Sequence, residues 1–181
     1  MKGVGTAATM LAAICCAGPL EADCSDSLSL VNALPATVSA EERKKVEAAV
    51  GSAVYEIACS RMAAGMSLLA DRSQVAAVSI GYLALTDQAV IFVRYVRTLI
   101  PVLRRRDVAT LASFDEITHV IAPSTQSGPN ISFDLAVNER PSAVTVARGR
   151  NGDAFLEALR MRVIAACGTG AIVTAVGVTC P

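Results

Sequence analysis

The sequence predicts an α+β protein in which a helical segment precedes an antiparallel β-roll that is closed by a C-terminal helix. Three observations support this fold class. Apolar residues recur at helical spacing before residue 58, alternate with polar residues along later segments, and return to helical spacing after residue 153. Strands that follow one another and end in a helix are typical of α+β proteins, whereas a parallel α/β sheet requires strands and helices to alternate.

The first 22 residues have the features of a secretory signal peptide. Lys2 precedes an apolar run from Val4 to Gly18, and small residues lead to a cleavage point between Ala22 and Asp23. The run is too short to span a membrane comfortably. The alternative is that the leader is retained as an N-terminal helix of a cytosolic or membrane-tethered protein.

Composition limits the classes of function. Removal of residues 1–22 leaves 159 of the 181 residues, enough for one domain with an appended element. The full chain has 16 basic and 16 acidic side chains, so it has no global field to attract nucleic acid or an acidic membrane, and any anion site must be local. Trp is absent and aromatic residues are 4% of the chain, which argues against stacking on bases. We therefore predict no nucleic-acid partner.

Four cysteines remain after the predicted signal peptide: Cys24, Cys59, Cys167 and Cys180. An even number in an exported chain indicates disulfide bonds and a periplasmic or secreted location. Three pairings are open, and we favour Cys24–Cys59 with Cys167–Cys180 because each closes a local segment. The alternative use is a metal site or a reactive thiol. No pair has C-x-x-C spacing and the single histidine, His119, is distant in sequence, so we predict no metal.

Residues 23–74 form a predicted helical segment. Ser39 and Glu42 have the spacing of a capping box. Apolar residues at helical spacing follow it: Val46, Ala49, Val50, Ala53, Val54 and Ile57. A second helical piece is predicted from Met62 to Ala70, with Met62 and Met66 as core residues.

Residues 75–166 form the predicted roll. Its five strands are Val75–Thr86, Ala89–Val96, Ser113–Ile121, Ile131–Val137 and Ser142–Arg148. A tight turn at Asp87-Gln88 joins the first two. Asp153 caps the closing helix, one face of which carries Phe155, Leu156, Leu159, Val163 and Ala166. We expect the apolar tail, residues 167–181, to be an extended segment that is buried against the sheet or the N-terminal helix.

The roll resembles bacterial pleckstrin-homology-like and GRAM-like domains. Gly81–Asp87 matches a G-x-L-x-L-T-D strand, and Val90–Val93 matches the apolar return strand. Phe114–Val120 is similar to the next strand of these domains, where an I-x-x-V pair points inward. Asp153–Arg162 resembles the helix that plugs the open end of the roll. The resemblance implies a binding or scaffolding module without catalysis.

Pleckstrin-type domains commonly bind phosphoinositides through basic residues beside the first hairpin. Here that hairpin carries Asp87 and Gln88, so the lipid-binding motif of the family does not carry over to this chain. The nearest basic cluster spans the second strand and the connection after it: Arg94, Arg97, Arg104, Arg105 and Arg106. Guanidinium groups can bind phosphate bidentately, so the cluster is a candidate site for an anionic lipid headgroup or an acidic protein partner. The alternative is a solvated surface balanced by Asp107, Asp115 and Glu116.

Sequence signatures of catalysis are absent. The chain has no G-x-S-x-G, H-E-x-x-H or G-x-x-x-x-G-K-[ST] motif and no cofactor fingerprint. Asp115 and Glu116 are adjacent, so on a strand they would face opposite sides. We therefore predict an exported, non-catalytic interaction module of the cell envelope with no cofactor. The alternative is a periplasmic hydrolase or inhibitor-like effector with a cleft between the helix and the sheet.

Overall fold

The computed structural model describes residues 24, 34–62, 79–96, 105–123 and 127–181. The predicted signal peptide and the connections 63–78 and 97–104 lie outside these ranges. The helices are α1 (Ala40–Val50) and α2 (Arg150–Cys167). The strands are β1 (Glu56–Met62), β2 (Ser79–Leu85), β3 (Ala89–Val96), β4 (Arg105–Ser113), β5 (Ile117–Ile121), β6 (Asn130–Val137), β7 (Arg140–Ala147), β8 (Ile172–Val173) and β9 (Gly177–Thr179).

These strands form one antiparallel sheet in the order β4-β3-β2-β1-β7-β6-β5-β9-β8. The α+β class is thereby confirmed, with β4 and β8 as the two edges of an open sheet. The meander β1–β4 joins the meander β5–β7 where β1 pairs with β7, in the register Ser60–Val146 to Met62–Val144. The hydroxyl of Ser60 donates to the carbonyl of Thr145 at 3.0 Å across this junction.

The first helix is shorter than predicted. Ser39 accepts a hydrogen bond from the amide of Glu42 at 3.1 Å, as the predicted cap requires. The helix ends at Val50 because Gly51 adopts a left-handed conformation with φ of 76°. The prediction that Val54 and Ile57 continue the helix is therefore wrong: Ile57 lies on β1. The second helix was predicted to begin at Met62, and this start is wrong because Met62 is the last residue of β1. Met62 is buried, as expected of a core residue.

The predicted hairpin around Asp87 and Gln88 is confirmed. Leu85 pairs with Val90 beside the turn. The hydroxyl oxygen of Thr86 accepts hydrogen bonds from the amides of Gln88 and Ala89 at 3.3 and 3.1 Å, which fixes the turn. The strands β6 and β7 are likewise confirmed. A two-residue turn, Asn138-Glu139, joins them, and both of its residues have positive φ.

Two strands of the first meander, β1 and β4, were not predicted, and one predicted strand is shorter than expected. β4 lies in the region assigned to a connection, and it pairs with β3 along its length. The predicted strand Ser113–Ile121 is divided into a 3-10 turn, Phe114–Glu116, and β5. Asp115 and Glu116 therefore both lie exposed on this turn instead of on opposite faces of a strand.

Two groups of buried side chains cover the two faces of the first meander. The inner cluster lies between the sheet and α2, and its larger members are Leu83, Leu85, Phe92, Phe114, Ile117, Val120, Phe133, Leu135, Val144, Phe155, Leu159, Val163 and Val178. The outer cluster lies on the opposite face with α1, and it comprises Cys24, Leu34, Val46, Val54, Ile57, Cys59, Tyr82, Ala84, Ala89, Ile91, Val93 and Ala147.

The closing helix begins at Arg150, three residues before the predicted start. The carboxylate of Asp153 accepts from the amide of Gly149 at 3.1 Å, so it caps the helix from inside the first turn. At Gly152 a Cβ would lie 1.7 Å from the carbonyl oxygen of Ala147, so only glycine permits this approach to the sheet. Four of the five residues predicted on the apolar face are buried, whereas Ala166, near the helix end, is exposed.

The tail forms a hairpin of β8 and β9, and β9 pairs with β5. The prediction of a buried tail is right for Val178 but wrong for Ile172 and Val173, which are 56% and 60% exposed. Of the two predicted positions, the sheet is the one observed: Val178 joins the inner cluster, whereas α1 packs on the outer one.

Both favoured disulfides are present. Cys24 is bonded to Cys59 and Cys167 to Cys180, each with Cα atoms 5.7 Å apart. They support an oxidising, extracellular or periplasmic environment. Neither helix in the described ranges has the length and hydropathy needed to cross a membrane.

Candidate functional site

The predicted arginine cluster belongs to one end of the first meander. Val96 pairs with Arg105, and Met62 pairs with Ser79 in the neighbouring strands. We call this the distal end of the meander. The opposite end carries the pairs Glu56–Leu85 and Ala89–Ser113, and we call it the turn end. Since β1 has seven residues at about 3.3 Å each, the two ends are roughly 20 Å apart.

The members of the cluster are not equivalent. Arg94 lies on β3 and Arg105 and Arg106 lie at the start of β4, where the backbone register places Arg106 opposite Tyr95. Arg97 and Arg104 lie outside the described residues. The connections 63–78 and 97–104 both leave the sheet at the distal end, since they follow Met62 and Val96.

Arg94 is neutralised by a neighbour on the adjacent strand. Its Nη2 and Nε atoms donate to Oδ2 of Asp107 at 3.1 and 3.3 Å, and the two residues are directly opposite each other in the register. The alternative of a balanced surface is thus confirmed for Arg94. Asp115 and Glu116 follow Ser113 at the turn end, so they lie beyond the end of β4 that is opposite Arg105.

His119 lies on the interior strand β5, opposite Ala136 of β6 and Thr179 of β9. A register irregularity between Ile117 and His119 changes the alternation of β5. As a result, Ile117 and Val120 are both buried, as expected for the I-x-x-V pair, although they are three positions apart and a regular strand would turn them to opposite faces. The half-buried His119 is held between two paired strands.

The predicted cleft between the helix and the sheet is filled along the middle of α2. Phe155, Leu159 and Val163 point from the helix into the inner cluster, where they are fully buried. Along these residues the helix and the sheet are joined by close packing, and they leave no room there for a substrate.

The described cysteines are used in disulfide bonds. Within the described ranges, no group of three or more His, Cys, Asp or Glu side chains could hold a metal ion. The disulfides therefore have a structural role: one links Cys24 to β1, and the other links the end of α2 to the residue after β9.

A polar network that is buried at Tyr82 and Glu42 and reaches solvent at Glu41 joins α1 to the sheet. The hydroxyl of Tyr82 donates to Oε2 of Glu42 at 3.0 Å, and Nζ of Lys45 contacts Glu42 and Glu41 at 2.6 and 2.7 Å. The hydrogen bonds that Lys45 donates to these carboxylates, above all to Glu41, raise the pKa of Lys45, and the contact with Glu41 lowers the pKa of Glu41. This network satisfies polar groups between two layers of the fold.

A second basic site was not predicted from the sequence. At the turn end, Nη1 of Arg43 donates to the carbonyl oxygens of Val54 and Tyr55 at 2.7 and 3.2 Å. The guanidinium carbon of Arg162 lies 4.7 Å from the centroid of the Tyr55 ring. Tyr55 is 52% exposed. We call Arg43, Tyr55 and Arg162 the Tyr55 cluster; its members are distant in sequence, so no local pattern could indicate it.

Comparisons with known proteins give no family and a weak structural similarity. No family model matches the chain, and no curated protein matches it. It is similar to the crystal structure of the C-terminal domain of an unknown protein from Leishmania infantum, with 16% sequence identity and a TM-score of 0.40. The similarity covers 67% of this chain and 94% of that chain.

Proposed function

We propose that this protein is an exported, non-catalytic interaction module with a pleckstrin-like roll, and that it binds an anionic lipid headgroup at the distal end. The observation that carries the proposal is the position of the arginines. The register assigns Arg105 and Arg106 to the end of the meander from which both 63–78 and 97–104 leave. The latter connection contains Arg97 and Arg104.

The order of the elements supports the roll. Two meanders, β1–β4 and β5–β7, join through β1 and β7, and α2 follows directly after β7 to cover the inner cluster. Seven strands followed by a closing helix are what the resemblance to pleckstrin-like domains implies. The hairpin β8–β9 is an addition to this plan.

The balanced charge of the chain also favours a local anion site. With 16 basic and 16 acidic side chains, no long-range field concentrates anions on the whole molecule. Asp107 already neutralises Arg94. The proposal therefore depends on Arg97 and on the run Arg104–Arg106, in which three guanidinium groups follow one another without an intervening acid.

Vesicle binding tests this proposal. The protein recovered from an exporting host is titrated with vesicles of phosphatidylcholine, with and without phosphatidylglycerol, and with the triple variant R104A/R105A/R106A. Each basic side chain near an anionic surface contributes about 1 kcal/mol, so the variant is expected to bind roughly 100-fold more weakly.

The matched control is K44A/R140A/R150A, which removes three exposed positive charges elsewhere on the molecule. It should bind anionic vesicles as the parent does. Absence of binding by the parent, or equal loss in the two triple variants, would overturn the lipid proposal.

Export is tested separately by intact mass after expression in an exporting host, with alkylation before and after reduction. The expected protein lacks residues 1–22 and is alkylated at four cysteines only after reduction. A full-length chain with free thiols would favour the cytosolic or membrane-tethered alternative.

The hydrolase alternative is tested by a screen of esterase, phosphatase and peptidase substrates. We expect no turnover that co-purifies with the protein, because the interface of α2 with the sheet is packed. A reproducible activity that survives H119A would show that chemistry occurs at another site.

A further inference from the structure

We propose that the Tyr55 cluster is a docking site for an acidic segment of a protein partner. The cluster lies at the turn end, whereas the lipid proposal concerns the distal end, so the two proposals are independent. Three parts of the fold contribute one residue each: Arg43 comes from α1, Tyr55 from the residue before β1, and Arg162 from α2.

The two cations of the cluster are not neutralised by the described residues. No carboxylate in the described ranges lies within 4.0 Å of the guanidinium nitrogens of Arg43 or Arg162. Glu47 and Glu56 are close in sequence to Arg43 and Tyr55, yet neither makes such a contact. By contrast, Lys45 and Arg94 both contact carboxylates. The cluster therefore keeps a local positive charge on a neutral chain.

Both guanidinium groups are held in place. Two backbone carbonyls fix Nη1 of Arg43, and its remaining donors are left for a ligand. Arg162 is held over the Tyr55 ring, a contact that orients a guanidinium without using its hydrogen-bond donors. Preorganised side chains lose less conformational entropy on binding, which favours affinity.

The spacing of the charges favours a peptide over a single phosphate. Arg43 contacts the backbone of Tyr55 whereas Arg162 contacts its ring, so the positive charge is spread along the residue. The ring itself is 52% exposed and offers an apolar surface beside the two cations. A segment with two carboxylates that flank an apolar side chain complements this arrangement. Tyr and Arg are also the residues most often found at the energetic centre of protein interfaces.

The first test is a titration of the oxidised full protein with a fluorescein-labelled peptide that carries two Glu-Leu-Glu repeats, followed by fluorescence anisotropy. R162Q should bind about fivefold more weakly or worse, because it removes one charge-assisted contact. R150Q removes an exposed arginine from the same helix and should bind as the parent does. Equal affinity of R162Q and the parent would overturn the proposal.

The second test uses the parent protein, so its main result does not depend on whether a variant folds. In NMR spectra of the parent, the peptide should shift the amide signals of residues 54–56 and 161–163 and leave those of 105–106 unchanged. Y55F serves to test the ring alone and should retain binding, since the ring face and the backbone carbonyl persist. If the cluster signals shift with inorganic phosphate or phosphatidylglycerol vesicles but not with the peptide, an acidic protein segment is the wrong ligand.

Discussion

The two faces of the first meander are built differently. The inner cluster contains apolar side chains from both meanders and from α2. The outer cluster is smaller, includes the Cys24–Cys59 disulfide, and is bordered by the hydrogen bond from Tyr82 to Glu42. The Cys167–Cys180 disulfide packs against the inner cluster, so each face has one covalent link, and the outer face adds the polar contact between α1 and Tyr82.

The comparison explains why neighbouring residues of β2 are all buried. Leu83 and Leu85 point into the inner cluster while Tyr82 and Ala84 point into the outer one. On β6, by contrast, Ser132 and Asp134 are exposed, and the strand shows the alternation of a sheet with one solvated face.

The largest expected effect is the loss of stability when a buried side chain is truncated on one face or the other. Phe155→Ala removes a fully buried ring from the inner cluster and should lower the free energy of unfolding by about 3–5 kcal/mol. The size-matched comparison is Val163→Ala in the inner cluster with Val46→Ala in the outer cluster, where the loss should be the smaller, at about 2 kcal/mol. Urea unfolding of both variants measures the difference. Equal losses would mean that the faces are energetically alike.

The next prediction concerns the disulfides. Cys24 and Cys59 are 35 positions apart in sequence. In the chain-entropy model, the double change C24A/C59A should therefore lower the free energy of unfolding by about 3–4 kcal/mol. C167A/C180A, with a separation of 13, should cost about 3 kcal/mol. Thermal unfolding of the two variants compares them.

Amide hydrogen exchange locates the effect. Loss of Cys24–Cys59 should increase exchange in α1, which packs on the outer cluster, and leave α2 protected. Increased exchange in α2 alone would contradict the assignment of this disulfide to the outer face.

A smaller effect is expected for the polar link. Tyr82→Phe keeps the buried ring but removes the hydrogen bond to Glu42, so the change should cost about 1 kcal/mol. Chemical unfolding measures it, with Tyr55→Phe as the control because Tyr55 is exposed. A greater loss for the control would contradict the role given to the outer network.

The smallest effect lies away from both clusters. Hydrogen bonds from the hydroxyl and amide of Ser113 lower the pKa of Glu116. A lowered pKa stabilises the folded state above the ordinary pKa of Glu, and this contribution is lost as the pH falls through the lowered value. An NMR titration should show that the pKa of Glu116 lies below that of a Glu side chain in a model peptide. Ser113→Ala should return the pKa of Glu116 toward the ordinary range.

Short-range patterns were sufficient for much of the fold. The turn at Asp87, the alternation of β6 and the apolar face of α2 each lie within one stretch of sequence, and each was predicted. The pairing of cysteines was also predicted, since local closure favoured the two pairs that form.

The errors have physical causes as well. β4 begins with Arg105-Arg106-Asp107, which resembles a solvated connection, and its role as a strand depends on pairing with β3. Ile57 fits a helical period by coincidence, because the left-handed Gly51 ends the helix before β1 begins at Glu56. The Tyr55 cluster depends on contacts that α1 and α2 each make with the segment before β1, so no single stretch of sequence indicates it.

The short junction between β1 and β7 has a consequence for the order of folding. Ser60 and Thr145, which are joined there, are 85 residues apart in sequence. Closing so long a loop is slow, and folding rates fall as such distant pairings increase. Until β7 has left the ribosome, one side of β1 is an unpaired strand edge, which is a common starting point for aggregation. Stalling the nascent chain just before residue 140 would therefore create its most aggregation-prone intermediate.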